Sequence, residues 1–193
     1  MGPAVVTVIG VDTDSRSLRE ADHLIHSLVD RLRLPGQVIA CTHLIRGERP
    51  HIAVSLTVPS DVDGLWLGLN RFASAENAGV AGDADRFGRA ELSTSAAEAV
   101  ASAGISGRAV VFPGSTGLTG GVRVGDLLAG SAIARLHVVG GPDRPVAEDV
   151  LDTRDHVRPE WQAGELVLAV TPAGPGRYAP FEVPNPTPCC ADH

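Results

Sequence analysis

Residues 4–32 read AVVTVIGVDTDSRSLREADHLIHSLVDRL, and this stretch decides the fold. Ala4–Val11 is a continuous apolar, largely β-branched run, as expected of a buried strand. Asp12-Thr13-Asp14-Ser15 then breaks it. Ser17 and Glu20 stand at the spacing of a capping box. Behind them Leu18, Ala21, Leu24, Ile25, Leu28, Val29 and Leu32 recur on one helical face. Pro35-Gly36 ends that helix.

Working outward, Gln37–Ile45 and His51–Val58 read as two strands joined by the turn Gly47-Glu48-Arg49-Pro50. Asp61–Phe72 suits a short helix packed through Leu65, Leu69 and Phe72. The first half thus orders strand, helix, strand, strand, helix, which fits a ferredoxin-like split βαβ arrangement or a related two-layer sheet. Ala75–Asp85 reads as a loop or an inter-lobe link. Ser95 and Glu98 form a second capping-box pattern ahead of an Ala-rich helix ending at Gly104. Arg108–Phe112, Ile133–Val139 and Glu165–Val170 read as strands, Val124–Leu128 as a short helix, and Pro113–Gly121 as a glycine-rich loop. Prolines from Pro172 onward predict an extended tail. The expected fold is α/β of the α+β type: a mixed two-layer sheet with helices mainly on one face, and a β-rich C-terminal half. Residues 1–179 are expected as one globular domain, which would divide, if at all, near 75–90; residues 180–193 form the proline-rich tail.

Composition narrows the function. The chain has 193 residues, a formal net charge of -7 and no lysine. Without lysine there is no Schiff-base chemistry, no lysine-linked pyridoxal phosphate and no P-loop nucleotide site. An acidic, lysine-free chain is a poor match for a phosphate backbone, so nucleic acid is not an expected partner. No apolar run reaches transmembrane length, and Met1-Gly2-Pro3 lacks the basic start of a signal peptide. The expectation is a cytoplasmic protein with reduced cysteines, three in all. Its expected partner is a small molecule or a metal ion, with homo-oligomerisation left open.

The chemistry-bearing residues concentrate in the tail, Cys189-Cys190-Ala191-Asp192-His193. Thiolates are nucleophiles and soft-metal ligands, suited to zinc or copper. Cys41 and His43 lie two apart on a predicted strand and so share a face. With Cys189, Cys190 and His193 they would complete a Cys/His cluster. The expected function is therefore a small-molecule enzyme (lyase, hydrolase or thiol transfer) using Cys189, Cys190 and His193. The alternatives are a non-catalytic zinc or copper chaperone or sensor, and an interaction protein whose tail is a recognition tag. A second candidate set is His23, His26 and Asp30, on one stripe of the first helix, where a solvated helix face is the favoured reading.

Three further groups merit mention. Ser115 and Thr116 in the glycine-rich loop, with Arg123, are candidates to hold an anionic part of a substrate. Asp152-Thr153-Arg154-Asp155-His156 would let Asp152 or Asp155 orient His156 as a base, or would be a turn with local pairs. The apolar strand followed by Asp12-Thr13-Asp14 resembles the start of the haloacid dehalogenase enzymes, which implies a nucleophilic or magnesium-binding carboxylate. The resemblance covers only this segment, and those enzymes use a lysine that this chain lacks. Asp14 or Ser15 is accordingly expected to help cap the helix, and Asp12 to be a turn residue.

Overall fold

A computed structural model describes residues 5–141 and 144–184. Its described residues show a mixed α/β protein with four α-helices. They divide into two compact units, one within Met1–Pro113 and Trp161–Gly164, the other within Gly114–Glu160 and Glu165–His193. None of the helices is long and apolar enough to cross a membrane.

The first unit runs β1 (Val6–Ser15), α1 (Leu18–Arg31), β2 (Ile39–Ile45), β3 (His51–Pro59), α2 (Leu65–Glu76), β4 (Gly79–Ala81), β5 (Arg86–Gly88), α3 (Ala90–Ser102) and β6 (Arg108–Val111). These strands order β5-β4-β1-β3-β2-β6, and each neighbouring pair is antiparallel. The strands and helices expected up to Phe72 are therefore present, the first of them described from Val6 onward. Residues 75–85, read from the sequence as a loop or link, instead end α2 and begin a strand pair: β4 pairs with β1 and β5 with β4.

The capping box at Ser17 forms. Its hydroxyl accepts from Glu20 N–H at 3.2 Å, while Glu20 Oε2 reaches back to Arg16 N–H at 2.7 Å. The second box does not cap. α3 begins five residues before Ser95, whose hydroxyl donates to Glu91 O within the helix. A serine inside a helix can satisfy itself on a carbonyl one turn back, so the spacing alone does not mark a start.

The two faces of this sheet differ. One carries Ile9, Val11, Ala40, Val54, Leu56 and Val58, packed with α1 and α2 through Ile25, Leu28, Leu69 and Phe72. The other carries Gly10, Asp12, Cys41, His43, Ala53 and Ser55, small or polar residues, beneath the Ala- and Ser-rich α3. A Cβ on Gly10 would collide with the Ala96 carbonyl, so glycine there sets how closely α3 approaches.

The second unit contains β7 (Gly121–Arg123), α4 (Val124–Gly130), β8 (Ile133–Val138), β9 (Val150–Asp152), β11 (Glu165–Gly174) and β12 (Arg177–Pro180); β10 (Glu160–Gln162), which comes between β9 and β11 in the chain, has Trp161 and Gln162 in the first unit. β11 pairs antiparallel with β12 and parallel with β8; β12 pairs parallel with β9, and β9 antiparallel with β7. This half is β-rich, as expected. Pro172 lies within β11, and after a turn Arg177–Pro180 is the paired strand β12; residues 185–193 of the expected tail lie outside the described residues.

Candidate functional site

The site that stands out lies where β1 loses its regular pairing with β3. Val11 faces Val54 and Ser15 faces Ile52, so β1 carries two extra residues across this step. Such bulges bend a strand and re-aim its side chains. Asp14 takes up the strain with a left-handed backbone, φ 62°, a conformation an L-residue other than glycine rarely adopts. Asp12 is not a turn residue: it is completely buried.

The burial of Asp12 is compensated on both of its oxygens. Oδ1 accepts the Asp14 N–H at 2.8 Å, and Oδ2 accepts from His51 Nε2 at 2.7 Å. The other ring nitrogen of His51, Nδ1, faces the Arg49 carbonyl at 2.9 Å. A carbonyl can only accept, so Nδ1 carries a proton; the carboxylate makes the same demand of Nε2. His51 is thus held between two acceptors, which favours its protonated form. Burial pulls the His51 pKa down, but the Arg49 carbonyl, the Asp12 carboxylate and the charge of Asp14 outweigh it and raise the value above the ordinary 6.5.

Around this buried pair lies a ring of exposed charge. Asp14 Oδ2 accepts from Arg16 at 2.7 Å and from Arg49 at 3.2 Å. Arg16 also donates to the Pro50 carbonyl, tying the end of β1 to the β2–β3 turn. Arg89 pairs with Glu91 at 3.4 Å at the start of α3. A cavity of about 120 Å³ is lined by Asp14, Arg49, His51, Arg89, Glu91, Leu92 and Ser95. A wider groove of about 490 Å³ lies on another side of Asp14, among Ser27, His23, Phe72, Arg31 and Glu76.

The residues singled out from the sequence fall elsewhere. Cys41 and His43 do share a face, but that face is covered: they are 2% and 6% exposed. Burial pushes the Cys41 thiol up to about 12, against a weaker opposing hydrogen bond from Trp161. Burial pushes His43 down to about 4, and its Nε2 lies 2.8 Å from Ser55 Oγ. Both behave as core residues. His23, His26 and Asp30 are exposed on α1. Among the described residues no group of three or more His, Cys, Asp or Glu side chains converges as a metal site. Cys189, Cys190 and His193 lie outside the described residues.

In the second unit, Thr116 and Arg123 are exposed and Ser115 is half-buried in a single 3-10 turn. The glycine-rich loop does hold a carboxylate, but an internal one: Gly120 N–H donates to Asp155 Oδ1 at 3.0 Å. Thr153, fully buried, also donates to the Gly120 carbonyl, from its hydroxyl and from its N–H. His156 is oriented by neither Asp152 nor Asp155; its Nε2 donates to Glu182 at 2.9 Å.

Sequence reasoning weighed Asp12 and Asp14 and set them aside as turn and cap. It missed His51, Arg49 and Arg89 altogether. A signal existed: antiparallel pairing of the first and third strands brings the end of one beside the start of the other, and those two ends carry Asp12 and His51. Comparison with known proteins finds no matching family model, no matching curated protein and no matching solved structure.

Proposed function

We propose that the chain is a small-molecule enzyme working at the bulged end of β1. Arg49 and Arg89 hold an anionic group of the substrate, and Asp14 exchanges a proton with it. Asp12 and His51 are positioning residues that fix the bulge. One observation carries this reading: a fully buried carboxylate, Asp12, paired at 2.7 Å with His51 beside a left-handed aspartate, where His51 and that aspartate both line a charged cavity. Buried ion pairs are costly in desolvation and seldom add net stability, and backbone strain of about 1–3 kcal/mol persists only where the surroundings enforce it. The two together favour a functional origin. The order β4-β1-β3-β2, with α1 and α2 on one face, also supports reading the first unit as a split βαβ arrangement.

The test uses a panel of small carboxylates and phosphates, followed by calorimetry and by proton NMR in D2O. Arg49→Gln should weaken binding of any hit about tenfold, roughly 1.4 kcal/mol. Asp14→Asn should keep binding measurable and stop exchange of a substrate proton with solvent. Hits that bind equally to wild type and to an Arg49→Gln, Arg89→Gln double variant would refute the assignment.

A second reading keeps the tail chemistry, with Cys189, Cys190 and His193 as thiol nucleophiles or zinc or copper ligands. It is favoured by the anchoring of the chain where the tail begins: Phe181 N–H donates to the Ala169 carbonyl and Glu182 accepts from His156. Metal analysis of tag-free protein, repeated after deletion of Cys189–His193, tests it. Metal bound without turnover would mark a chaperone or sensor. Neither metal nor turnover would leave a recognition tag.

A further inference from the structure

We infer that the ligand of the β1 site is a zwitterion, an α-amino acid whose ammonium and carboxylate enter the small cavity while its side chain runs into the groove past Asp14. This rests on the β1 bulge being the working site and goes on to name its substrate class.

The first argument is charge balance. Asp12, fully buried, pairs at 2.7 Å with His51, which itself lines the cavity, so the two offset one another there. What remains on the wall is two carboxylates, Asp14 and Glu91, and two guanidiniums, Arg49 and Arg89. A simple anion placed there meets the guanidiniums but also two like charges; a simple cation has the mirror problem. A molecule with both charges a few ångströms apart satisfies both kinds of wall. The existing pairs give way readily. Arg49 to Asp14 is 3.2 Å and Arg89 to Glu91 is 3.4 Å, with both arginines well exposed, and pairs of this kind contribute about 0–1 kcal/mol. The first turn of α3, which no side chain caps, brings the positive end of a helix dipole to this wall through Glu91 and Leu92.

The second argument is size. A volume of about 120 Å³ equals that of about four liquid waters. It accommodates the amino, α-carbon and carboxylate atoms of an amino acid and little more. The third argument is continuity. Asp14 lines this cavity and also the groove of about 490 Å³. With the ammonium on Asp14, that groove offers a side chain room beside Ser27, His23 and Phe72. With Glu20, Arg31 and Glu76 also on its wall, that lining suits a polar side chain.

The experiment is a thermal-shift and calorimetric comparison on the whole chain. The probes are the free L-amino acids, the amines that lack the carboxylate, the 2-hydroxy acids that lack the ammonium, and inorganic phosphate. At least one amino acid should bind about tenfold or more tightly than its amine and its hydroxy acid. Arg49→Gln should weaken the amino acid and the hydroxy acid alike, whereas Asp14→Asn should weaken the amino acid alone. A hydroxy acid or phosphate that binds as tightly as the amino acid overturns the zwitterion and leaves the anion-binding enzyme intact. An amine that binds as tightly overturns the zwitterion and the role of the arginines together. No binding by any probe overturns both readings.

Discussion

Changing His43 to Gln should flatten the acid limb of the stability curve. His43 is buried beside Ser55, and burial lowers its pKa from 6.5 to about 4. Between those values the unfolded chain binds a proton that the folded chain refuses, so stability falls as pH falls through that window. At 1.36 kcal/mol per unit, this one side chain removes about 3 kcal/mol by pH 4. That is a large part of the roughly 5–15 kcal/mol a domain commands. Gln keeps a hydrogen-bonding group near Ser55 and does not titrate. The assay is urea unfolding followed by circular dichroism at several pH values from 4 to 8. The quantity read is the difference in unfolding free energy between wild type and His43→Gln, because contributions common to both cancel. That difference should move by about 3 kcal/mol in favour of the variant between pH 8 and pH 4. A difference that stays constant across the range would show that His43 is protonated in the folded protein and that the sheet face under α3 is wetter than its burial implies.

Other perturbations follow from the same geometry. His51 has the opposite sign: its pKa is raised, so its contribution is full below pH 6.5 and is lost as pH rises through the folded value. His51 chemical shifts followed against pH should titrate above those of a model imidazole. Asp12→Asn leaves that imidazolium without its counter-charge and should destabilise by about 3–5 kcal/mol, measured by chemical unfolding at neutral pH. Gly10→Ala drives a methyl into the Ala96 carbonyl and should cost about 1–3 kcal/mol; a thermal midpoint equal to wild type would contradict the close seat of α3. Cys41, with its thiol near 12 and 2% exposed, should resist iodoacetamide in the native state and react only after unfolding, as peptide mass spectrometry would report.

The first half of the fold was legible because its signals agree with one another. The apolar run of β1, the cap at Ser17 and the heptad-like stripe of α1 each point to the same elements, and such consistency is what a strong fold signal consists of. The second half offered three-residue strands, β7, β9 and β10, too short for any periodicity to register. Their pairing rests on backbone geometry, including the left-handed Arg154 and Asp155 of the turn that grips Gly120. That geometry is absent from composition.

The site was obscured for a different reason. In a strand buried on both faces, apolar residues run continuously, and the alternation that would separate the two faces disappears. β1 is such a strand, so Asp12 reads as the residue after the strand ends, when in fact the strand continues through it to Ser15. A turn aspartate is solvated and ordinary; a strand aspartate with no exposure must find a cation. Once β1 is extended by those residues, its antiparallel partner supplies one, because the only ionisable side chain at the start of β3 is His51. The tail drew attention by its density of reactive groups, yet reactivity depends on environment rather than on residue count. Cys41 makes the point within the same chain: a thiol raised to about 12 is chemically quiet. Asp14, by contrast, accepts from two guanidiniums and lines a cavity, an arrangement of charge open to a ligand.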